Sequence, residues 1–468
     1  MRIPLSWLND YIELTETPRQ IADRLTFSGT EVEGIETIGA DFAGFLVAEV
    51  RAVERHPNAD KLSVCKVFDG QQELQVVCGA PNVTAGGHYP FAPVGVTVPN
   101  GGFVIKKAKI RGVESFGMLC AADELGLSTD HSGLMVLDPK WAAGTPLATV
   151  LGPPETVLEL EVTPNRADCL SLIGIARELA AIYRVPLKVP EVGCQVSGVG
   201  CQVDVQDAAG CPRYTARLLE NVTIGPSPAW MQKRLELAGI RAINNVVDIT
   251  NYVMLECGQP LHAFDRSLLQ EGRIVVRRAT ASERMATLDG QDRELDPAML
   301  VIADAARPVA LAGVMGGAGS EIRDTTTSVL LESAGFRPGD IRTTARKVGL
   351  STESSYRFER GVNLDQVDWA SRRAAELLVA HAGATLVPGV TDVYPVAPQP
   401  KKILCRFDYV RDVTGVAASD AEIRGVFEAL QLGVTLTGPG AMEVTIPVFR
   451  RDLEREIDLV EEFARIHG

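Results

Sequence analysis

An α+β fold spread over several domains is what this sequence predicts, and three observations carry the prediction. The chain has 468 residues, against roughly 150 per domain in ordinary globular proteins, so about three domains are expected. Residues 42–127 break into short β-rich runs, FLVAEVRAV, LSVCKVF, LQVVCGAP and GVTVPNGGFVI, separated by Gly, Pro and Asn, which is the texture of a small Greek-key barrel. Before and after that stretch, and again near the end, apolar residues recur at helical spacing behind clear start signals.

Composition narrows the function classes. With 46% hydrophobic and 23% charged residues the chain reads as an ordinary globular protein. A net charge of -14 argues against a surface that coats nucleic acid along its whole length, so any such contact must come from a local basic patch. The excess acid is available to a divalent metal. Nine cysteines, an odd number with no C-x-x-C pair, fit reduced thiols; Cys194 and Cys201 have no second pair to complete a zinc site. No run approaches the roughly 20 apolar residues that span a bilayer, and MRIPLSWLND lacks the apolar core of a signal peptide. A cytoplasmic protein without membrane contact is expected.

The first helix is marked by Thr17 as N-cap, Pro18 at the first helical position and Gln20 at the capping-box position, and it closes near Gly29. Alternation over residues 31–38 predicts a strand. Within the β-rich region, KKAKIRG gathers Lys106, Lys107, Lys109 and Arg111, and Arg55 and Lys61 add to them. An OB-type barrel with such a strand is a platform for single-stranded or looped RNA; the alternative is an edge strand whose lysines guard against aggregation. Leu172, Ile175, Ala176, Leu179 and Ile182 then repeat at helical spacing, predicting a helix that packs back on the first and makes the barrel an insertion. Residues 190–210 show little periodicity and read as a linker or edge hairpin.

The stretch RAINNVVDITNYVMLECGQPLHAFD, residues 241–265, runs from an Asn pair through apolar sequence to a Gly-Gln-Pro break and delivers His262. A rigid element ending this way presents a titratable group at a cleft rim, although a lone His in such company is more often a satisfied core or surface residue. GVMGGAGSEI follows at residues 313–322. It lacks the Lys-Ser/Thr pair of a phosphate-binding loop and is expected to let backbone approach closely. Glu332 lies inside the apolar strand VLLESAGF, where a carboxylate must be paired or hydrogen-bonded; Arg357 and Arg360 are candidate partners. Residues 387–400 read as a proline-rich linker. Beyond it Ser419 and Glu422 form a capping box, VTIPVF a strand, and Asp458, Glu461 and Glu462 share one helix face with Asp452 nearby. Such crowded carboxylates suit magnesium; the alternative is a solvated acidic helix partnered by Arg451, Arg455 and Arg465.

Three motifs in one order, HPNADKL (residues 56–62), VVCGAPNV (76–83) and KIRGVESFGMLCAADELGL (109–127), resemble the tRNA-binding OB domain of the phenylalanyl-tRNA synthetase β subunit. TPNRADCLS at residues 163–171 and the whole region 211–386 resemble the same family, and the likeness runs from Trp7, Leu8 and Tyr11 to Gly468. It implies a split N-terminal α/β domain at residues 1–40 and 150–190, with an OB-fold barrel at 41–149 inserted in it. It further implies a mixed α/β editing domain of B3/B4 type at 211–386, and a small helical metal-binding domain of B5 type at 401–468. Relatives of this kind continue into a catalytic-like domain and an RNA-binding tail, so the chain is expected to be an N-terminal part of such a subunit.

The resemblance also implies roles. The editing site of that family hydrolyses tyrosine wrongly attached to the phenylalanine tRNA: Glu332 matches the carboxylate that accepts the tyrosine hydroxyl, His262 the histidine near the ester, and Thr352 the polar residue beside it. Ser354, where many relatives carry Ala, and Asn245 match the substrate pocket. Lys61, Lys106, Lys107, Lys109 and Arg111 are the expected tRNA contacts, and Asp452, Asp458, Glu461 and Glu462 match magnesium ligands near the contact with an α subunit. The implied assembly is two α and two β subunits. ATP serves that holoenzyme and is not expected to bind here. No Ser-His-Asp or Cys-His pattern offers a covalent nucleophile, so water is the expected attacking group. The rival expectation is a non-catalytic tRNA-binding and assembly scaffold with a vestigial pocket.

Overall fold

The computed structural model describes residues 1–129, 131–193 and 200–468. Two compact units emerge, residues 36–157 and the joined segments 1–35 and 158–468, and each is described by itself.

In residues 36–157 five antiparallel strands lie in the order Glu73–Cys78, Ser63–Phe68, Leu46–Arg55, His88–Pro93 and Gly117–Leu119. A bulge between Val50 and Ala52 bends the central strand and helps the sheet curl. The outer strands then approach one another: Phe116 N–H donates to the Gln75 carbonyl at 2.9 Å and Val77 N–H to Ser115 Oγ at 3.1 Å, so the barrel is nearly closed. Val50, Cys65, Val67, Val76, Phe91 and Leu119 fill it. Gly117 has φ 151, and a Cβ there would sit 2.4 Å from the Phe91 ring, so only glycine lets the last strand cross that ring.

Two expectations change here. GVTVPNGGFVI forms no extended strand, only an irregular hairpin with one bridge, Thr97 to Val104, because Pro99 and the positive φ of Gly101 and Gly102 bend its middle. Of the basic run only Ala108–Ile110 is strand; it pairs with Val113–Ser115 across a tight turn in which Arg111 (φ 49) and Gly112 (φ 96) both take positive φ.

In the other unit the helix Pro18–Phe27 carries the expected capping box of Thr17 and Gln20. The strand Glu31–Ile38 lies in a three-stranded sheet with Arg2–Pro4 and Glu155–Glu161. The helix Leu172–Tyr183 starts at Ser171, whose hydroxyl accepts from Gly174 N–H, and is buried along almost its whole length.

Residues 200–393 build two five-stranded sheets. One runs Val203–Val205, Ile274–Arg278, Leu300–Ala303, Pro308–Leu311, Met315–Gly316. The other runs Leu261–Asp265, Ser328–Gly335, Arg213–Glu220, Thr385–Leu386, with Thr391–Val393 also paired to Arg213–Glu220. Helices Asn245–Cys257 and Gln366–His381 pack on one another and on this second sheet. The apolar run after Asn244 is thus a helix, capped by the Asn244 side chain on Val246 and Val247 N–H and closed by Gly258 in the left-handed conformation. The predicted linker at 387–400 is partly strand, since Thr391–Val393 is an edge strand pinned by Arg213 to Asp392 at 2.7 Å. Residues 194–199 of the region expected to be a linker or hairpin, Cys194 among them, lie outside the described residues; Val203–Val205 beyond them is a parallel edge strand.

Residues 401–468 are mixed rather than helical. Lys401–Arg406, Ala441–Ile446 and Gly433–Gly438 form an antiparallel sheet, against which Phe407–Thr414, Asp420–Ala429 and Glu456–His467 bury Phe407, Phe427 and Phe463. The Ser419 and Glu422 capping box is present, while two of the three strands, Lys401–Arg406 and Gly433–Gly438, are exposed at most of their positions and so do not stand out in the sequence.

Candidate active site

Antiparallel pairing places His262 directly opposite Glu332, so the two side chains share one face of the sheet. On the other side of Glu332 stands Ala216, and two residues along the same strand Tyr214 faces Ala334. Tyr214, fully buried, leans across and donates its hydroxyl to Glu332 Oε2 at 2.6 Å. Neither Arg357 nor Arg360 is the partner that sequence suggested. Arg357 pairs with Glu353 at 2.6 Å and Arg360 with Glu359 at 2.6 Å. Burial pushes the Glu332 carboxyl up to about 7, against the opposing pull of the Tyr214 hydrogen bond. Burial also lowers His262 to about 4, so its ring is neutral at physiological pH.

His262, Glu332 and Ser354 line one cavity of about 60 Å³, closed by Gly313, Gly316, Leu311 and Phe358. The glycine loop does what its composition suggested. A Cβ on Gly316 would fall 2.6 Å from His262 Cε1, and Gly313 (φ 66) packs under Phe336 and Phe358. Thr352 does not line the cavity. Its hydroxyl donates to the Val314 carbonyl at 2.9 Å and accepts from Ser355 N–H at 3.0 Å, capping the helix Glu353–Phe358 that carries Ser354 and tying it to the glycine loop. Asn245 is not brought to this cavity: it is buried, donating Nδ2 to the carbonyls of Thr223 and His381 and accepting from Gly225 N–H. Tyr214 was missed by sequence reasoning, since nothing local shows that a tyrosine in RYTARLLE reaches Glu332, 118 residues away.

In the barrel unit the structure brings two expected basic segments together. His56 Nε2 lies 3.1 Å from the Ile110 carbonyl and Asn58 Nδ2 donates to the Arg111 carbonyl at 2.9 Å. Lys61, Lys106, Lys109 and Arg111 are exposed around this junction, while Lys107 pairs with Glu114 at 3.1 Å. The motifs VVCGAPNV and GMLCAADE jointly line a second cavity of about 400 Å³.

The four acids matched to magnesium are not gathered into one shell. Arg450 grips Asp452 through two bonds of 2.9 and 2.7 Å and Glu462 at 2.5 Å. Asp458 Oδ2 accepts Glu454 and Arg455 N–H at the helix start, and Glu461 is exposed. Magnesium takes oxygen ligands at about 2.0–2.1 Å in near-octahedral geometry. A guanidinium between two of the carboxylates does not fit that requirement. Among the described residues the acids and thiol that do converge are Asp168, Cys169 and Glu178, and there Arg166 already occupies the centre.

Three domain families match successive parts of the chain. The family model of a tRNA binding domain matches residues 45–146, that of the B3/4 domain residues 210–383, and that of the tRNA synthetase B5 domain residues 403–468. The chain is 49% identical to the phenylalanine–tRNA ligase beta subunit of Geobacter sulfurreducens and 48% identical to that of Moorella thermoacetica, in each case across 100% of this chain. It spans 59% of the length of those relatives. With the three domain models in series and this identity along its whole extent, the chain is similar to phenylalanine–tRNA ligase beta subunits over the part of their length that it spans.

Proposed function

We propose that this chain serves the beta subunit of a phenylalanine–tRNA ligase by binding the phenylalanine tRNA and hydrolysing tyrosine mistakenly esterified to it. The observation that supports editing most directly is a neutral histidine facing a buried carboxylate across one strand pair, at a cavity walled by apolar groups. A pocket built for phenylalanine rejects an isostere with one added hydroxyl by only about 100-fold, so a second site must bind the hydroxyl positively. Glu332 is the acceptor for that hydroxyl. Water attacks the ester carbonyl, the acyl–oxygen bond breaks, and free tyrosine and the ribose hydroxyl leave. His262, uncharged, accepts a hydrogen bond from the attacking water and orients it. Thr352 keeps Ser354 and the glycine loop in place. Asn245 acts at one remove, through the helix it anchors.

We assign tRNA contact in the barrel domain to Lys61, Lys106, Lys107, Lys109 and Arg111. The layout that goes with this reading is an OB-type barrel inserted in the N-terminal domain, followed by the editing and B5 domains. The α subunit, in a complex of two α and two β chains in the cytoplasm, is the partner for aminoacylation, and ATP and magnesium belong to that holoenzyme rather than to this chain alone. The test is single-turnover deacylation of tyrosyl-tRNA by the chain and by Glu332→Ala. We expect the variant to lose at least about tenfold in rate, the scale of a hydrogen bond to a charged group. Equal rates for the two would leave a tRNA-binding scaffold in its place.

A further inference from the structure

The strand Arg213–Glu220 alternates in a way that bears on the pocket. Tyr214, Ala216 and Leu218 share the face that carries Glu332 on the neighbouring strand, and every residue from Arg213 to Leu219 is buried. The residue opposite Glu332 is Ala216 and the residue opposite Tyr214 is Ala334. Two small residues thus leave room for the tyrosine ring to lie diagonally across the strand pair, a reach that aromatic side chains manage over about 7–8 Å. A phenylalanine would fill the same space without bringing a polar atom into it. The hydroxyl therefore needs a reason of its own, because burying a phenol and a carboxylate is unfavourable unless each satisfies the other.

From these contacts we infer that Tyr214 is a positioning residue: its phenol fixes one oxygen of Glu332 so that the other is presented to a hydroxyl on the bound aminoacyl group. This deepens the editing role proposed above and rests on it. Glu332 Oε2 is held at 2.6 Å by Tyr214, while among the described residues Oε1 has no hydrogen-bond partner, and the residue lines the cavity. The groups that face Glu332 are Tyr214 and, at the approach to the same strand, Cys211, together with His262 from the other flanking strand. Among the described residues no Arg or Lys forms an ion pair with it. His262 is neutral, so the Tyr214 O–H is the group that stabilises the ionised carboxylate. The hydrogen bond also sets the carboxylate plane, and with it the direction from which a second O–H can approach.

Tyr214→Phe tests this with the ring, and hence the packing, retained. We expect the ratio of tyrosyl-tRNA to phenylalanyl-tRNA hydrolysis to fall about tenfold or more. The acid limb of the tyrosyl profile should also move to higher pH, because the ionised acceptor has lost its donor. In a Glu332→Gln background the same change should add little, since the two residues act as one unit. An unchanged ratio and an unmoved limb in Tyr214→Phe, with wild type active, would overturn the role of Tyr214 and leave editing standing. A wild-type chain that hydrolyses neither ester would bring down both. A structural role alone predicts a lower melting temperature with neither the ratio nor the limb altered.

Discussion

At the scale of single residues the site depends on what is absent as much as on what is present. Gly316 has no side chain where His262 needs space, and a methyl group would press to 2.6 Å from the ring. Gly316→Ala should displace His262 and reduce tyrosyl-tRNA hydrolysis at least tenfold with little change in tRNA affinity, read from single-turnover rates and filter binding. Charge state makes a second prediction. Glu332 titrates near 7 and His262 near 4, so hydroxyl recognition should strengthen as pH rises through about 7. The stability sign is the opposite. The folded Glu332 value lies above the unfolded one, so its burial favours the protonated form, and stability is lost as pH rises from the ordinary carboxylate range through 7. Glu332→Gln should therefore gain thermal stability over wild type at pH 8, and the gain should shrink at pH 5.5; a constant difference would refute the assignment. The resemblance to a family singled out His262, Glu332 and Ser354, which the structure brings to one cavity, but the sequence hid Tyr214, whose contact lies on a cross-strand diagonal.

At the scale of elements, end signals were read well and edges poorly. Thr17 with Gln20 and Ser419 with Glu422 cap their helices as spacing predicted, because a cap is a local hydrogen bond between residues three apart. Thr391–Val393 was hidden in proline-rich sequence because an edge strand needs pairing on one side only. GVTVPNGGFVI misled in the other direction, since alternation cannot reveal that Pro99 and two glycines bend its centre. The short helix Glu353–Phe358 shows an element and a site sharing one residue. Thr352 caps it and also holds the Val314 carbonyl, so Thr352→Ala removes two bonds at once. The cap alone is worth about 1–2 kcal/mol. The variant should unfold at lower denaturant and lose editing rate, whereas Thr352→Ser should restore both; restoration of stability without rate would show that the threonine methyl helps to set the position of the helix that carries Ser354.

At the scale of the whole chain the least legible feature is ionic. Glu178, buried on the helix Leu172–Tyr183, accepts from Arg166 and from Arg465, and Arg465 also grips Glu462, which Arg450 joins to Asp452. Sequence spacing put Asp458, Glu461 and Glu462 on one helix face and offered Arg455 and Arg465 as partners, which pair with Asp458 and Glu462, but it could not show Arg450 reaching Glu462 from 12 residues away or Arg465 reaching Glu178 across 287 residues. These partners hold Glu178 and Glu462 below the usual carboxylate range, so their contribution is present above that range and is lost as pH falls through the lowered values. A magnesium shell and an arginine cannot fill the same space, and the two arrangements predict different responses. With Arg450 in place, chelation of divalent ions should leave the thermal midpoint of the chain unchanged. Arg450→Met, which leaves half-buried Asp452 without its counter-charge and buried Glu462 with Arg465 alone, should cost up to about 3–5 kcal/mol. That loss should be partly reversed by millimolar magnesium, since the vacated carboxylates then resemble a cation site. A wild-type midpoint that falls on chelation would instead show that the acids hold a metal in the free chain, and that Arg450 must move to admit it.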